Sequence, residues 1–237
     1  MSRNGATLPV TRPRSAATDA AGLARDADDW RKRIARRARR ANLELSSDQT
    51  ASHAEFLTLL SAWNARMNLT ALDDRDEAVD RLILEPVAAA RVLQGAGSVL
   101  DVGSGGGSPA IPLKIQISHA SLCMVESKIR KGAFLREAVR KLKLANVRVE
   151  SRRFEELLTD ASIHECCDVV TIRAVRIQLG TLVSTQAFLK PGGRLALFRG
   201  PGEEPLPAVP MLTIESDEPL VETLRSRLLI LRKAVLH

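Results

Sequence analysis

Residues 99–115, VLDVGSGGGSPAIPLKI, carry the densest chemical signal in the chain. An apolar run ends in Asp101, and Gly103, Gly105, Gly106 and Gly107 then fill four of the next five positions after Val102, broken only by Ser104. Such a run between a strand and a helix builds a crevice floor, because backbone N–H groups and a helix start face a ligand there. Glycine lets the chain fold beneath that ligand and touch it. Pro109 suits a first helical turn. The spacing of Gly105, Gly107 and Ala110 fits G-x-G-x-x-A, so a nicotinamide dinucleotide remains open. Asp101 shifts the balance: a carboxylate beside the loop suits a cofactor bearing a sulfonium and an ammonium and opposes a pyrophosphate. S-adenosyl-L-methionine is therefore the expected cofactor. Glu126, closing the second strand, is placed to accept from ribose hydroxyls, the alternative being a solvated strand end.

Metal and thiol chemistry find little support. Cys123, Cys166 and Cys167 lack a two-residue spacer, and His53, His119, His164 and His237 are scattered. A reducing cytosol, no metal and no membrane are expected, since no apolar run approaches the ~20 residues of a membrane span and the N-terminus has no apolar signal core. The net charge of +7 is uneven. Residues 1–45 hold eleven bases and five acids, and 31–40 alone hold seven bases. Residues 128–143 hold seven bases and one acid, with Arg136, Arg140 and Lys143 on one helical face opposite Leu135, Ala138 and Leu142. Two basic surfaces imply a polyanionic partner such as nucleic acid, or else solvated helix faces. With 3% aromatics and no Tyr, stacking on an aromatic sheet is not the binding mode.

These groups need elements to hold them. Residues 1–25 show no periodicity and read as a disordered basic tail. Residues 26–40 and 46–69 read as helices, the second with Ser46 or Ser47 as N-cap and a Phe56, Leu59, Leu60, Trp63, Met67 stripe. Glu77 to Leu93 is a third helical stretch interrupted by Pro86, making 26–93 a helical region. From 94 to 237 the period changes. Residues 98–102, 121–126, 146–150, 168–173 and 193–198 read as strands alternating with helices. The expected fold is α/β, a parallel sheet with helices on both faces.

At this point the residues resemble a known family. FLTLLSAWNARMNLTAL, VLDVGSGGGSPAIPLKI, VESKIRKGAFLREAVRKLKLANVRV, SRRFEEL, TIRAV and LKPGGRLALFRG, spread in order over about 43–200, are similar to the glucose-inhibited division protein B family, the ribosomal RNA small subunit methyltransferases G. The resemblance implies a class I, Rossmann-like S-adenosylmethionine methyltransferase fold with an N-terminal helical cap. It also implies methyl transfer to guanine N7 in small-subunit ribosomal RNA, in the cytoplasm, with the RNA or the subunit as partner and the enzyme as a monomer. Carried over by position, the cofactor loop comprises Asp101, Gly103, Ser104, Gly105 and Ser108. Glu126 is the acid of the second strand, and Phe154 and Glu155 lie beside the adenine. Arg173 is the arginine at the active site, touching cofactor and acting in catalysis, with an ion pair to Asp168 or Glu155 as the structural alternative. Arg199 stands where the family has a lysine, and joins Arg136, Arg140 and Lys143 as an expected RNA ligand. The chain departs from the family pattern at Leu82, Glu85 and Pro86, which replace His, Asp and Ser, and at Ser108 and Ala110. A methyltransferase-like RNA-binding protein of weak activity is the alternative function.

Overall fold

The computed structural model describes residues 16–70, 74–173 and 178–235, with side chains from residue 22 on. Arg3, Arg12 and Arg14 of the expected tail, Ala174 and Val175 of the TIRAV segment, and His237 lie outside the described residues. The helical region begins earlier than the sequence reading placed it. Helix α1 spans Ala16–Arg40, so residues 16–25 are helical rather than disordered. Ala16, Ala17, Ala20 and Ala21 explain the extension, since alanine has the highest helix propensity without giving an apolar stripe. Trp30, Ile34 and Ala38 recur every fourth residue and are buried.

Helix α2 (Ser47–Met67) starts at a capping box. The Gln49 N–H donates to Ser46 Oγ at 3.1 Å, and the Ser46 N–H donates to Gln49 Oε1 at 2.9 Å. Helix α3 (Arg75–Val79), a π-helical segment (Asp80–Leu84) and α4 (Glu85–Val92) form one continuous run. Pro86 thus does not end the helix. It has no N–H to give the Leu82 carbonyl its i→i−4 partner, and the wider π turn just before it absorbs the mismatch.

A seven-stranded sheet follows, in the order β3-β2-β1-β4-β5-β7-β6. Its strands are β1 (Ser98–Val102), β2 (Ser121–Val125), β3 (Val147–Glu150), β4 (Cys167–Arg173), β5 (Leu189–Arg199), β6 (Leu212–Pro219) and β7 (Arg227–Lys233). The first five run parallel, joined by α5 (Ala110–Gln116), α6 (Ile129–Lys141), α7 (Phe154–Leu157) and α8 (Leu179–Gln186). The sheet is mixed rather than all parallel: β7 lies antiparallel to both β5 and β6. A short connection from Leu220 to Ser226 leaves no room for a crossover helix, so β6 and β7 pair as a hairpin.

Alternation along the strands divides the core in two. Val99, Val169, Ala196 and Ile230 face a cluster that also contains Trp30, Ile34, Phe56, Ile83 and Phe134. Leu100, Val170, Ile172, Leu195 and Leu229 face the other cluster, with Leu157, Leu182 and Phe188. The N-terminal helices therefore share one core with a face of the sheet.

His53 lies fully buried inside this first layer. The Gln116 side-chain N–H donates to its Nε2 at 3.0 Å, which leaves the ring proton on Nδ1, where it has no partner among the described residues. Burial lowers the His53 pKa to about 3. The unfolded ring, near 6.5, takes up a proton that the folded ring refuses. Stability from this site is present above 6.5 and lost progressively as pH falls toward 3. A His53→Gln variant should show a flatter loss of stability over that window in urea titrations; an unchanged slope would remove His53 as the cause.

Candidate functional site

The glycine run forms the loop between β1 and α5 and is stitched to the end of β2. The Gly103 and Ser104 N–H groups both donate to the Val125 carbonyl, at 2.9 and 3.0 Å. The Gly105 N–H donates to Glu126 Oε2 at 2.9 Å, and Glu126 Oε1 accepts the Lys128 N–H at 2.7 Å. Glu126 is thus a buried brace of the loop as well as the acid at the second strand end. Its carboxylate has lone pairs beyond these two bonds.

Three of the four glycines divide by role. Gly106 and Gly107 are small because the protein itself presses on them. A Cβ on Gly107 would sit 2.7 Å from Ile111 Cδ1 and 3.3 Å from both Leu135 and Phe56, at a φ of +85°. One on Gly106 would meet the Leu69 carbonyl oxygen at 3.3 Å. Gly105 differs: at φ +51° its Cβ would approach only the Gly103 carbonyl oxygen, at 3.6 Å, and otherwise point into open space. Gly105 is therefore the one of these three glycines whose Cβ position the protein leaves open.

Two serines expected on the cofactor turn elsewhere. Ser104 is buried and its hydroxyl donates to the Asp101 carbonyl at 3.1 Å, closing the turn from within. The Ser108 hydroxyl donates to the Leu82 carbonyl at 2.9 Å and accepts from Arg173 Nη1 at 2.9 Å, which makes it a link in the wall. Asp101 is also sealed beneath the loop, 1% exposed, where Oδ1 accepts from the Thr171 hydroxyl at 2.6 Å. Burial pushes its carboxyl above the usual range, against the hydrogen bond from Thr171. The carboxylate expected beside the loop is thus a buried one. Its Oδ2 has no partner among the described residues.

Arg173 ends β4 beside the loop. Its ion-pair partner is Glu85 of α4, with Nη2 3.3 Å from Oε2, rather than the expected Asp168 or Glu155. Asp168 is taken by Lys190 at 2.7 Å and by the N–H groups of Gly97 and Ser98. Burial raises the Glu85 carboxyl, and the Arg173 charge opposes the rise. Phe154 and Glu155 open α7, just past the carboxyl end of β3. Phe154 packs on the second core cluster and Glu155 is exposed, with Arg153 3.8 Å away.

The expected RNA ligands separate as well. Arg140 and Lys143 are exposed. Arg136 instead reaches back from α6 to the Val149 carbonyl at 3.2 Å and the Ser151 hydroxyl at 2.8 Å. Arg199 folds onto Glu203 at 3.0 Å and onto the Glu204 carbonyl, so both arginines are engaged within the protein. The 31–40 run is mostly engaged too. Arg33 and Arg36 pair with Asp76, Arg37 with Asp80, and Lys32 with Asp28. Arg31, Arg130 and Lys141 of the two basic runs, with Arg66, which sequence reasoning missed, rim a groove of about 910 Å³ between α1, α2 and α6. Leu59, Ala62, Trp63 and Met67 floor it, and Glu55 and Glu137 also line it. None of these six charged residues makes an ion pair among the described residues. The α2 stripe divides: Phe56 and Leu60 are core, and Leu59, Trp63 and Met67 floor the groove.

The crevice residues fit S-adenosylmethionine: an open glycine face at Gly105, the Glu126 carboxylate behind it, and an unpartnered buried oxygen on Asp101. Glu126→Ala removes the brace from the Gly105 and Lys128 N–H groups and is expected to weaken cofactor binding by roughly 1.5–3 kcal/mol, the scale of charge-assisted hydrogen bonds. Calorimetric titration checks this, and wild-type affinity would leave Glu126 a structural brace of the loop only. Among the described residues there is no cluster able to hold a metal ion and no helix long and apolar enough to cross a membrane.

Comparison with known proteins agrees with this geometry. A solved S-adenosylmethionine-dependent methyltransferase from Aquifex aeolicus superposes with a TM-score of 0.53 at 18% identity, over 71% of this chain and 97% of that one. A putative methyltransferase from Escherichia coli, yhhF, gives 0.50 at 17% identity, over 62% and 82%. These likenesses establish a methyltransferase-type fold. Ribosomal RNA small subunit methyltransferase G of Chloroflexus aggregans is 38% identical over 160 residues, covering 67% of each chain. That of Xanthomonas campestris pv. campestris strain B100 is 37% identical over 162 residues, covering 68% of this chain and 74% of its own. The model of the family described as rRNA small subunit methyltransferase G matches residues 49–205, from within α2 to the loop after β5, and the chain belongs to that family.

Proposed function

We propose that the protein is an S-adenosylmethionine-dependent methyltransferase that acts on guanine N7 of small-subunit ribosomal RNA. The observation that supports this best is the Gly105–Glu126 bond, which holds an open glycine face at the crevice of a chain from this family. The cofactor would supply an electrophilic methyl on a sulfonium. Gly105 and Glu126 would hold it, with Phe154 and Glu155 at the adenine end.

Guanine N7 carries an in-plane lone pair, so no proton has to leave before attack and no general base is needed. This suits a site whose titratable groups, Asp101 and Glu85, are buried. The task of the protein is alignment, which in well-oriented systems contributes about 7–11 kcal/mol. Arg173 uses one Nη1 donor on Ser108 and faces Glu85 with Nη2, and a guanidinium has five N–H donors. The rest can bind guanine O6 or a phosphate. Arg140 and Lys143, and the four cations around the α1–α2–α6 groove, supply phosphate contacts.

Transfer of labelled methyl to small-subunit RNA lacking the modification, followed by mapping of the labelled base, tests the proposal. Label at guanine N7 is expected. Label on another base would overturn the specificity. RNA binding without transfer would instead support the RNA-binding alternative.

A further inference from the structure

Four positions where the chain departs from its family's motifs converge on one group. Leu82, Glu85, Pro86 and Ser108 lie in the helical run and the glycine loop, yet all of them bear on the Arg173 guanidinium. Pro86 leaves the Leu82 carbonyl without its helical donor. The Ser108 hydroxyl donates to that carbonyl and in turn accepts from Arg173 Nη1, each at 2.9 Å. Glu85, 5% exposed, faces Nη2 of the same guanidinium. The guanidinium is thereby gripped at both Nη atoms, from two elements that do not belong to its own strand.

We propose that Glu85 and Ser108 are positioning residues for Arg173. Resting on the reading of Arg173 as the substrate-side arginine, the proposal adds a physical connection: Ser108 closes the loop whose Gly105 faces the cofactor, so loop and arginine share one hydrogen bond. A hydroxyl is required at 108, since only a group that both donates and accepts satisfies the Leu82 carbonyl and Arg173 together. A carboxylate is required at 85, since a buried guanidinium without a counter-charge is strongly disfavoured.

Two measurements test this in the full chain. In ¹⁵N spectra of the arginine side chains, Arg173 should show slow rotation about its Cζ–Nη bonds in the wild type. Rotation about the Cζ–Nη1 bond should become fast in Ser108→Ala and stay slow in Ser108→Thr. Fast rotation in the wild type, or slow rotation about Cζ–Nη1 in Ser108→Ala, would overturn the proposal. This readout needs no methyl transfer, so it stands apart from failure of the proposed reaction. In the transfer assay, Ser108→Ala and Glu85→Gln should each lower kcat about tenfold, one charged hydrogen bond's worth. Cofactor affinity should hold, and Ser108→Thr should recover most of kcat. In an Arg173→Ala background neither change should matter further. A loss that multiplies in that background would mean the two residues act elsewhere. Should Glu85→Gln fail to fold, the Ser108 pair decides.

Discussion

Gly107→Ala is expected to destabilise the protein by roughly 2–5 kcal/mol, while Gly105→Ala folds and loses cofactor. At Gly107 two costs add. The new Cβ at φ +85° carries the left-handed penalty, about 1–2 kcal/mol. It also lies 2.7 Å from Ile111 Cδ1, with Leu135 and Phe56 each at 3.3 Å, so three core side chains must shift, at about 1–3 kcal/mol. Gly105→Ala at φ +51° meets only the first cost, and its methyl projects into the open face. Cofactor affinity should then fall about tenfold or more, equivalent to at least ~1.4 kcal/mol. Urea denaturation and calorimetry with S-adenosylmethionine separate the two outcomes. A Gly107→Ala protein of normal stability, or a Gly105→Ala protein of normal affinity, would reverse the assignment.

What the sequence revealed follows the reach of its interactions. Strands β1, β2, β4 and β5 were legible because burial makes them short apolar runs, as in VVTI of β4, and the edge strand β3 by its alternating Val147 and Val149. Strand β6 was not. Its Glu215, Asp217 and Glu218 belong to a mostly exposed edge strand, where polar and charged residues are the rule and no apolar alternation shows. Ser46 and Gln49 announced the start of α2 because a capping box is local. The Glu85–Arg173 pair spans 88 positions, and nothing near Arg173 selects Glu85 over Asp168. Gly106 and Gly107 were read with Gly105 as ligand glycines because composition cannot tell a methyl excluded by a ligand from one excluded by Phe56. The arginines of 31–40 were misjudged for a related reason. A charge run reads as a face for solvent or phosphate, and its acidic partners, Asp76 and Asp80, lie some 40 residues further on.

Those partners carry the second large effect. Asp80 is 2% exposed and sits where α1, the π segment and the turn before β7 meet. It accepts from Arg37 Nε at 2.6 Å and from Arg37 Nη2, and from the Thr223 hydroxyl at 2.7 Å. The Asp80 hydrogen bonds are also the largest cause raising the Arg37 pKa. Asp80→Ala strands the Arg37 guanidinium against Asp76 alone, 3.6 Å away. Removing one partner of a buried pair costs about 3–5 kcal/mol. The Arg37 side chain keeps 17% exposure, so the lower end, about 3 kcal/mol, is expected. At ~2–4 °C per kcal/mol for a chain of this size, Tm should fall by roughly 6–12 °C. Arg37→Met combined with Asp80→Ala should lose less than Asp80→Ala alone, because no unpaired charge is left behind. Salt discriminates further: the exposed Lys32–Asp28 pair is screened, whereas the Arg37–Asp80 pair is largely not. If Asp80→Ala leaves Tm unchanged, Arg37 is free to reach solvent, and the 31–40 run returns as a phosphate-binding surface. If Tm falls as expected, Arg37 is an anchor of α1, and RNA contacts on this side rest on Arg31, Arg39 and Arg40, the bases of the run that make no ion pair among the described residues.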